Sequence, residues 1–215
     1  MKTIKDLKSL REDYTSMTLD EKEVLANPFK QIALWLQQAM DAKLPEPNAM
    51  TLATADLQGI PSARVVLLKE VDEKGLVFFT NYQSLKGRQL EQNPYASVVF
   101  NWLELQRQLR VDGIVEKLTV DESKEYFHQR PRASQLGAVA SPQSTFIPDR
   151  DFLDALFRDA EQKFEGKTVE MPLHWGGYRL RPTAIEFWQG RTNRLHDRVV
   201  YILDAGNWAI LRLAP

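Results

Sequence analysis

Short β-rich segments separated by turns make up most of this chain. Alternating and β-branched residues predict strands at Ala49–Ala55, Pro61–Val71 and Leu76–Asn81, joined as a meander by turns at 56–59 and 72–75. Strands and helices do not alternate regularly and no G-x-G-x-x-G loop is present, which excludes a doubly wound nucleotide-binding sheet. The pattern predicts a mainly β fold, a single antiparallel barrel with helices packed at its ends.

Periodicity elsewhere adds more strands and several helices to this prediction. The first helix is expected to begin at Asn27-Pro28, where a capping residue precedes a proline at the first helical position, and to run to Lys43. The other predicted helices span 84–92, 121–129, 132–140 and 149–166. The other predicted strands are Tyr95–Trp102, Gln108–Leu118, Tyr178–Trp188, Arg198–Leu203 and Trp208–Leu213.

Composition narrows the classes of function. The 215 residues carry a net charge of -1, so no global charge draws the protein to nucleic acid or to a membrane surface. The absence of cysteine excludes disulfides and thiolate chemistry, and the three histidines lack metal-ligand spacing. There is no signal peptide and no apolar run of about 20 residues, so we expect a cytoplasmic protein without a membrane span. Residues 1–26 are predicted to form a polar N-terminal arm, and 27–215 a single domain.

The most informative segment is Trp188–Arg198, which contains three arginines, a histidine, an aspartate and a tryptophan. On an extended strand, residues two apart share a face, so Arg194, His196 and Arg198 would form a cationic row. A row of this kind suits a planar, anionic, hydrogen-bonding ligand. The neighbouring pair His196-Asp197 also invites a hydrolase triad, but adjacent strand residues face opposite ways and no G-x-S-x-G elbow is present. A structural arginine–aspartate pair is the preferred interpretation of Asp197.

Two segments further upstream offer groups that suit a phosphate. Arg64–Lys69 is a predicted strand that is apolar on both faces and charged at each end. This pattern is also explained without a ligand, by a buried strand whose end residues extend their charged groups to solvent. Phe79 and Thr80 precede a helix with Lys86 in its first turn, and a helix N-terminus beside a lysine is a ready phosphate seat. Ordinary capping by Ser84 explains this second group equally well.

A third group of polar residues lies around Pro131. Tyr126 and Arg130 are four apart and share a helix face, and Ser134 returns toward them after the proline breaks the helix. A hydroxyl, a guanidinium fork and a second hydroxyl together form a plausible phosphate clamp, although a solvated helix end has the same composition. Gln143-Ser144, in a loop between two prolines, is a weak signal by itself.

Taken in order, these motifs resemble the pyridoxine (pyridoxamine) 5'-phosphate oxidases over nearly the whole chain. The specific pieces are Arg64-Val-Val-Leu-Leu-Lys69, Tyr126-Phe-His-Gln-Arg-Pro-Arg132 with Ser134, Phe187-Trp-Gln-Gly190 and Arg194-Leu-His-Asp-Arg198. The resemblance implies an FMN-binding split β-barrel that forms a homodimer with FMN at the subunit interface. It also implies oxidation of pyridoxine or pyridoxamine 5'-phosphate to pyridoxal 5'-phosphate, with O2 as acceptor, H2O2 as product and ammonia released from the amine.

The resemblance further implies roles for individual residues. Arg194 and His196 would be the catalytic pair, ranked as positioning groups above general-base work. FMN contacts are expected from Arg64, Val65, Val66, Leu67, Leu68, Lys69, Phe79, Thr80, Lys86, Gln108, Gln143, Ser144, Trp188 and Arg198. Substrate contacts are expected from Lys69, Tyr126, Arg130, Ser134, Arg194, Leu195 and His196, with Arg11 and Tyr14 contributed by the arm as a lid.

One position departs from the family pattern. Leu85 stands before Lys86 where family members often have arginine, which removes one cationic contact to the FMN phosphate, and Arg88 is a possible substitute.

Two other functions share these residues. A split-barrel flavin oxidase acting on another substrate, such as a phenazine precursor, would not need the clamp of Tyr126, Arg130 and Ser134. A non-catalytic flavin or pyridoxal-phosphate carrier would keep the whole site and show no turnover.

Overall fold

The computed structural model describes Tyr14 and residues 17–215. Within this part of the chain, none of the helices is both long and apolar enough to cross a membrane. The helices are α1 (Pro28–Asp41), α2 (Leu85–Gln92), α3 (Val120–Gln129), α4 (Arg132–Ala140) and α5 (Arg150–Lys163). The strands are β1 (Ala49–Ala55), β2 (Pro61–Leu67), β3 (Glu70–Asp72), β4 (Gly75–Asn81), β5 (Tyr95–Trp102), β6 (Arg107–Lys117), β7 (Trp175–Gln189), β8 (Asp197–Asp204) and β9 (Asn207–Arg212).

The strands are hydrogen-bonded in the order β2-β1-β5-β6-β7-β4-β3, and β8 pairs with both β7 and β9. The pairs β1–β2, β3–β4, β4–β7, β7–β8 and β8–β9 are antiparallel. The predicted mainly β fold with peripheral helices is therefore confirmed.

The chain forms two compact units. The first unit comprises the residues up to Pro47 together with Val99–Val111 and Ala184–Pro215, and the second comprises Asn48–Val98 and Asp112–Thr183. The predicted division into an arm at 1–26 and a domain at 27–215 is not tested by this partition and stays a prediction.

In the second unit, the predicted strand 61–71 is broken at Leu68-Lys69, so that prediction is wrong. The Leu68 N–H donates to Asn48 O (2.9 Å), whereas the next N–H, that of Lys69, donates to Val77 O (2.8 Å). The backbone thus leaves β1 and joins β4, and the three segments do not form a meander. β2 lies at an edge of the sheet, and it is not buried on both faces as predicted, since none of its residues is fully buried and Val65 is 65% exposed.

The second unit also holds a cluster of buried apolar residues beneath α3, α4 and α5. Its largest members are Phe127, Phe164 and Trp175, and Leu136 and Val169 complete the packing. A capping box at the start of α3, in which Thr119 and Glu122 exchange hydrogen bonds, explains why this helix begins where it does. The cluster fixes the ends of α3 and α4 relative to the first residues of β7.

In the first unit, α1 packs its apolar face around Trp35, whose ring meets Phe187 (4.9 Å between centroids) edge-on. The predicted cap is confirmed, because the Asn27 side chain accepts from the N–H groups of Phe29 and Lys30. The helix ends at Asp41, two residues before the predicted end.

Candidate functional site

A cavity of about 750 Å³ lies within the second unit. Residues from the end of β2, from β4 and from α2, α3 and α4 surround it. The predicted site residues that line it are Val65, Val66, Leu67, Lys69, Phe79, Thr80, Lys86, Tyr126, Arg130, Ser134 and Gln143. The fold thus gathers three separate sequence motifs into one place.

Three aromatic rings form one wall of the cavity. Phe79 stacks on Tyr126 with 3.9 Å between ring centroids and on Trp175 with 5.4 Å. Gly177 lies opposite Phe79 in the β4–β7 register, and a Cβ atom there would come within 2.8 Å of the Phe79 ring. Glycine at this position therefore gives Phe79 the room to lie flat against Tyr126.

Arg130 contributes a half-buried cation to the cavity. It caps the C-terminus of α3, and its guanidinium lies 4.7 Å from the centre of the Trp175 ring. Its Nη1 atom is buried without a hydrogen-bond partner in the described part of the chain. Burial lowers the pKa of Arg130, although Tyr126 has the opposite effect. A guanidinium with one buried, unused donor nitrogen is suited to an anion.

Tyr126 and Ser134 complete the predicted clamp. α3 ends at Gln129 and α4 begins at Arg132, so Pro131 separates the two helices as predicted. Tyr126, Arg130 and Ser134 all line the cavity, and Gln135 helps to fix the turn because its side-chain amide donates to the backbone carbonyl of Arg130 (2.8 Å). The clamp residues are brought together; the ligand that they bind stays a prediction.

A second cation, Lys86, lies buried at the start of α2. Its ammonium donates to Thr80 Oγ1 (3.2 Å), Gln143 Oε1 (3.2 Å) and Ser84 Oγ (3.4 Å). Burial, followed by the charge of Arg64, lowers the pKa of Lys86 to about 8. None of the partners described for Lys86 is an acid, so the site lacks the counter-charge that a buried ammonium normally has.

Ser84 caps α2, since its hydroxyl accepts from the Gly87 N–H (3.3 Å). The capping interpretation of this residue is therefore correct, and Lys86 supplies the cation independently of it.

Arg64 lies behind the cavity rather than on its lining. Its guanidinium donates to Thr54 Oγ1 (2.6 Å) and Ser62 Oγ (2.7 Å), and burial lowers its pKa. The next residues, 65–67 and Lys69, line the cavity, whereas Leu68 is buried in the core. Ser144 is exposed and lies outside the lining. Arg88, the suggested substitute for the missing arginine, donates to the Gln83 carbonyl and is also outside the lining.

In the first unit, the predicted cationic row of Arg194, His196 and Arg198 does not form. Residues Thr192–Arg194 make a 3-10 turn with Asn193 (φ 56°) and Arg194 (φ 61°) in the left-handed region, and β8 begins only at Asp197. Strand alternation therefore does not apply to these residues. Arg194 and Leu195 are exposed on this turn.

His196 is held in one orientation by its neighbours. Its Nδ1 atom accepts from the Arg191 N–H (3.1 Å), and its ring lies 4.6 Å from Trp188 and 5.8 Å from Tyr14. Burial, followed by the charge of Arg194, lowers the pKa of His196, so the neutral ring is favoured. Because Nδ1 accepts, the neutral ring carries its proton on Nε2 and presents a donor there.

The other predicted FMN contacts of the first unit surround a smaller cavity of about 290 Å³. Gln108, Trp188 and Arg198 line it together with Glu186. Glu186 accepts from two nitrogens of Arg198 (2.7 and 3.0 Å), and these hydrogen bonds raise the pKa of Arg198. Arg198 thus pairs with a buried carboxylate that it shares with Arg110, whose guanidinium also donates to Glu186 (2.8 Å).

Asp197 takes the structural role that the sequence indicated. Its carboxylate accepts from Arg191 (2.9 Å), from Arg212 (2.8 Å) and from the Leu19 N–H (3.1 Å). Tyr14 lies beside Trp188 (5.9 Å between ring centroids), while Arg11 lies outside the described residues.

Sequence reasoning missed two residues of these sites. Trp175 stacks in the aromatic wall and supports Arg130, and Glu186 balances Arg198. The signal that could have found Trp175 is the segment His174-Trp-Gly-Gly177, in which an aromatic residue comes directly before two glycines.

The strand order and the peripheral helices define the chain as a split β-barrel protein. A solved structure with 19% sequence identity, a pyridoxamine 5'-phosphate oxidase-related FMN-binding protein from Nostoc punctiforme, shares the fold with a TM-score of 0.70 and covers 89% of this chain and 98% of that chain. PhzG from Burkholderia lata, solved with tetrahydrophenazine-1-carboxylic acid, has 30% identity and a TM-score of 0.89, over 95% of this chain and 100% of that chain.

Sequence comparison identifies the family. A model described as pyridoxamine 5'-phosphate oxidase matches residues 36–164, and one described as the pyridoxine 5'-phosphate oxidase C-terminal dimerisation region matches 175–215. The pyridoxine/pyridoxamine 5'-phosphate oxidase of Polynucleobacter asymbioticus is 54% identical over 96% of this chain and 97% of its own, and that of Acaryochloris marina is 53% identical over 97% and 95%. The chain belongs to the pyridoxine/pyridoxamine 5'-phosphate oxidase family.

Proposed function

We propose that this protein is an FMN-dependent oxidase that converts pyridoxine 5'-phosphate and pyridoxamine 5'-phosphate to pyridoxal 5'-phosphate. O2 is the electron acceptor and H2O2 the product, and the amine substrate also releases ammonia. The observation that carries the proposal is the unpartnered, buried Nη1 of Arg130, which shares a cavity with Tyr126 and Ser134. These are the donors that a substrate phosphate needs.

FMN fits the donors of the second unit. Lys86 is a buried ammonium whose described partners are all uncharged, and a phosphate monoester would supply the missing negative charge. Lys86 and Thr80 would hold that phosphate, and residues 65–69 would contact the remainder of the cofactor. Bound FMN supplies a two-electron acceptor for a hydride from the substrate.

His196 acts in this proposal by orienting the substrate rather than by removing a proton. Its Nδ1 is occupied by the Arg191 N–H, and its low pKa keeps the ring neutral, so Nε2–H is a hydrogen-bond donor. Such a donor suits an oxygen substituent on a pyridine ring. Arg194, exposed next to it, would add positive charge at the same substituent.

The protein is proposed to function as a homodimer, consistent with the match of 175–215 to a dimerisation region. An oxidase acting on a phenazine precursor is the alternative raised by the similarity to PhzG. The presence of Tyr126, Arg130 and Ser134 in one cavity favours a phosphorylated substrate, as does the higher identity, 54%, to a pyridoxine/pyridoxamine 5'-phosphate oxidase.

The test is oxygen uptake by FMN-loaded protein with pyridoxine 5'-phosphate, alongside unphosphorylated pyridoxine. We expect uptake with the phosphate ester and at least about tenfold lower kcat/KM without it, because the clamp then has no anion. FMN binding without uptake would indicate a carrier, and a protein that does not bind FMN would contradict every flavin-based function.

A further inference from the structure

Asp197 accepts hydrogen bonds from three separate parts of the first unit. Its Oδ2 atom accepts from the Leu19 N–H (3.1 Å) and from Arg191 (2.9 Å), and its Oδ1 atom accepts from Arg212 (2.8 Å). The side chain is only 15% exposed. Burial alone would raise the pKa of Asp197, but the hydrogen bonds from Leu19, Arg212 and Arg191 lower it overall, so the carboxylate stays charged. The contacts on each side of it show what this charge holds in place.

On one side, Asp197 holds the loop that carries His196. The Arg191 side chain pairs with Asp197, while the Arg191 backbone N–H donates to His196 Nδ1 (3.1 Å). Asn193 and Arg194, between them, both adopt left-handed φ values, which asparagine tolerates but which cost about 1 kcal/mol or more at Arg194. A loop with this strain needs anchors outside itself, and Asp197 is one of them.

On the other side, Asp197 holds the segment that follows Tyr14. Both backbone groups of Leu19 are bound, the N–H by Asp197 and the carbonyl by Arg212 (2.9 Å). Arg212 also pairs with Glu21 (2.6 Å). Asp197 and Arg212 of strand β9 therefore both bind the short segment around Leu19. Leu19 is buried at 8% exposure, which adds an apolar anchor.

The two sides meet at the Tyr14 ring. It lies 5.9 Å from Trp188 and 5.8 Å from His196, measured between ring centroids. Gly190 provides the seat, because a Cβ atom there would come within 2.7 Å of the Tyr14 ring. Trp188 and His196 are in turn 4.6 Å apart. Tyr14 and His196 are thus in contact, and each lies five residues along the chain from a residue that Asp197 binds, Leu19 and Arg191 respectively.

We propose that Asp197 is a positioning residue for the oxidation: one carboxylate fastens both the segment carrying Tyr14 and the loop carrying His196, and so sets the two side chains against each other. The inference rests on the proposed function for its catalytic consequence. The fastening itself is a separate physical claim, which can be measured without turnover.

The variant that tests this is Asp197→Asn, which keeps the shape of the side chain but replaces one accepting oxygen with an NH2 group that faces the donors of Leu19, Arg191 or Arg212. Asp72→Asn is the matched control, since Asp72 likewise pairs with an arginine, Arg179, and accepts from two backbone N–H groups, yet contacts none of the predicted site residues. We expect kcat/KM for pyridoxine 5'-phosphate to fall about tenfold in Asp197→Asn, mainly through KM, with FMN content unchanged. We expect a change of less than about twofold in Asp72→Asn.

Two further measurements separate positioning from general loss of stability. In a double-mutant cycle, Asp197→Asn should lower kcat/KM less in the Tyr14→Ala background than in the wild type, because both changes act on the contact between Tyr14 and His196. Hydrogen exchange at the Leu19 amide should speed up at least about tenfold in Asp197→Asn and stay unchanged in Asp72→Asn.

The proposal is overturned if the Leu19 amide exchanges at the same rate in Asp197→Asn and wild type, or if an active wild type loses no more activity in Asp197→Asn than in Asp72→Asn. Additive effects with Tyr14→Ala would also contradict it. Failure of the wild type to oxidise pyridoxine 5'-phosphate would refute the proposed function instead, and the exchange rates would still decide whether Asp197 fastens the segment.

Discussion

Two cations of the second unit, the buried Lys86 and the half-buried Arg130, depart from the usual pairing of buried charge with a carboxylate. The partners described for Lys86 are hydroxyl and amide oxygens, and Arg130 rests on the face of Trp175 with one nitrogen unused. Removing a cation from water without a counter-charge costs stability, so sites of this kind are kept for an anionic ligand. Both residues give predictions at the scale of a single side chain.

For Lys86, we expect FMN affinity to depend on pH above neutrality. The pKa of about 8 is below that of an exposed lysine, so the protonated form that attracts phosphate is lost as pH rises through 8 in the free protein. FMN affinity should then fall by up to about tenfold per pH unit until the pKa of the complex is reached. Titration by flavin fluorescence from pH 6.5 to 9.5 measures this.

In Lys86→Gln the affinity should be lower throughout and nearly flat over the same pH range. An equally steep decline in that variant would assign the titration to another group. Without FMN, the same lowered pKa makes the wild type gain stability as pH rises from 8 toward the unfolded-state value, which is the opposite direction.

For Arg130, we expect Arg130→Lys to raise KM for pyridoxine 5'-phosphate about tenfold or more while leaving FMN affinity within about twofold. The lysine keeps the charge but loses the planar fork and the stacking on Trp175. Arg132→Lys is the control, since Arg132 donates to the carbonyls of Phe164 and Lys167 and does not line the cavity. Steady-state oxygen uptake measures both, and similar KM values for the two variants would show that Arg130 does not bind the substrate.

At the scale of elements, α3 carries Tyr126 and ends at Gln129, with Arg130 as its C-terminal cap. A change at the start of this helix therefore tests its stability, on which the positions of both site residues depend. Thr119→Ala removes the capping box with Glu122 and should lower the free energy of unfolding by about 1 kcal/mol, whereas Thr119→Ser should cost little. Thermal unfolding followed by circular dichroism measures the difference. Equal midpoints for the two variants would show that the box contributes nothing.

The break between β2 and β3 is the element that sequence patterns misjudged. Residues 61–71 have continuous β propensity, yet the hydrogen bonds of Leu68 and Lys69 go to Asn48 and Val77 respectively. Propensity describes how well each residue fits a strand, but it does not specify which neighbour the strand pairs with. Because the backbone changes its hydrogen-bond partner at this point, the Lys69 side chain lines the same cavity as Val65 and Leu67.

At the scale of the whole molecule, the match of 175–215 to a dimerisation region predicts a particle of twice the chain mass of 24.8 kDa, that is, close to 50 kDa. Leu211, in β9, is 52% exposed, and an exposed apolar side chain in such a region is suited to an interface. Leu211→Asp should shift the particle toward the monomer mass in light scattering after gel filtration.

Leu57→Asp is the control for this experiment, because Leu57 is 69% exposed and lies outside 175–215. The same mass for both variants would place the dimer contact elsewhere than Leu211.

The sequence by itself determined most of the elements and the chemistry of the second unit. Strand alternation, the caps at Asn27 and Ser84 and the break at Pro131 depend on neighbours in the chain, so local patterns were enough to predict them. The tertiary structure alone decided the roles of Arg198 and Trp175 and the distant partners of Asp197, Leu19 and Arg212, since each depends on contacts far away in sequence or on packed aromatic rings. It also replaced the predicted row at Arg194, His196 and Arg198 with a turn, in which Arg191 donates hydrogen bonds to His196 and to Asp197.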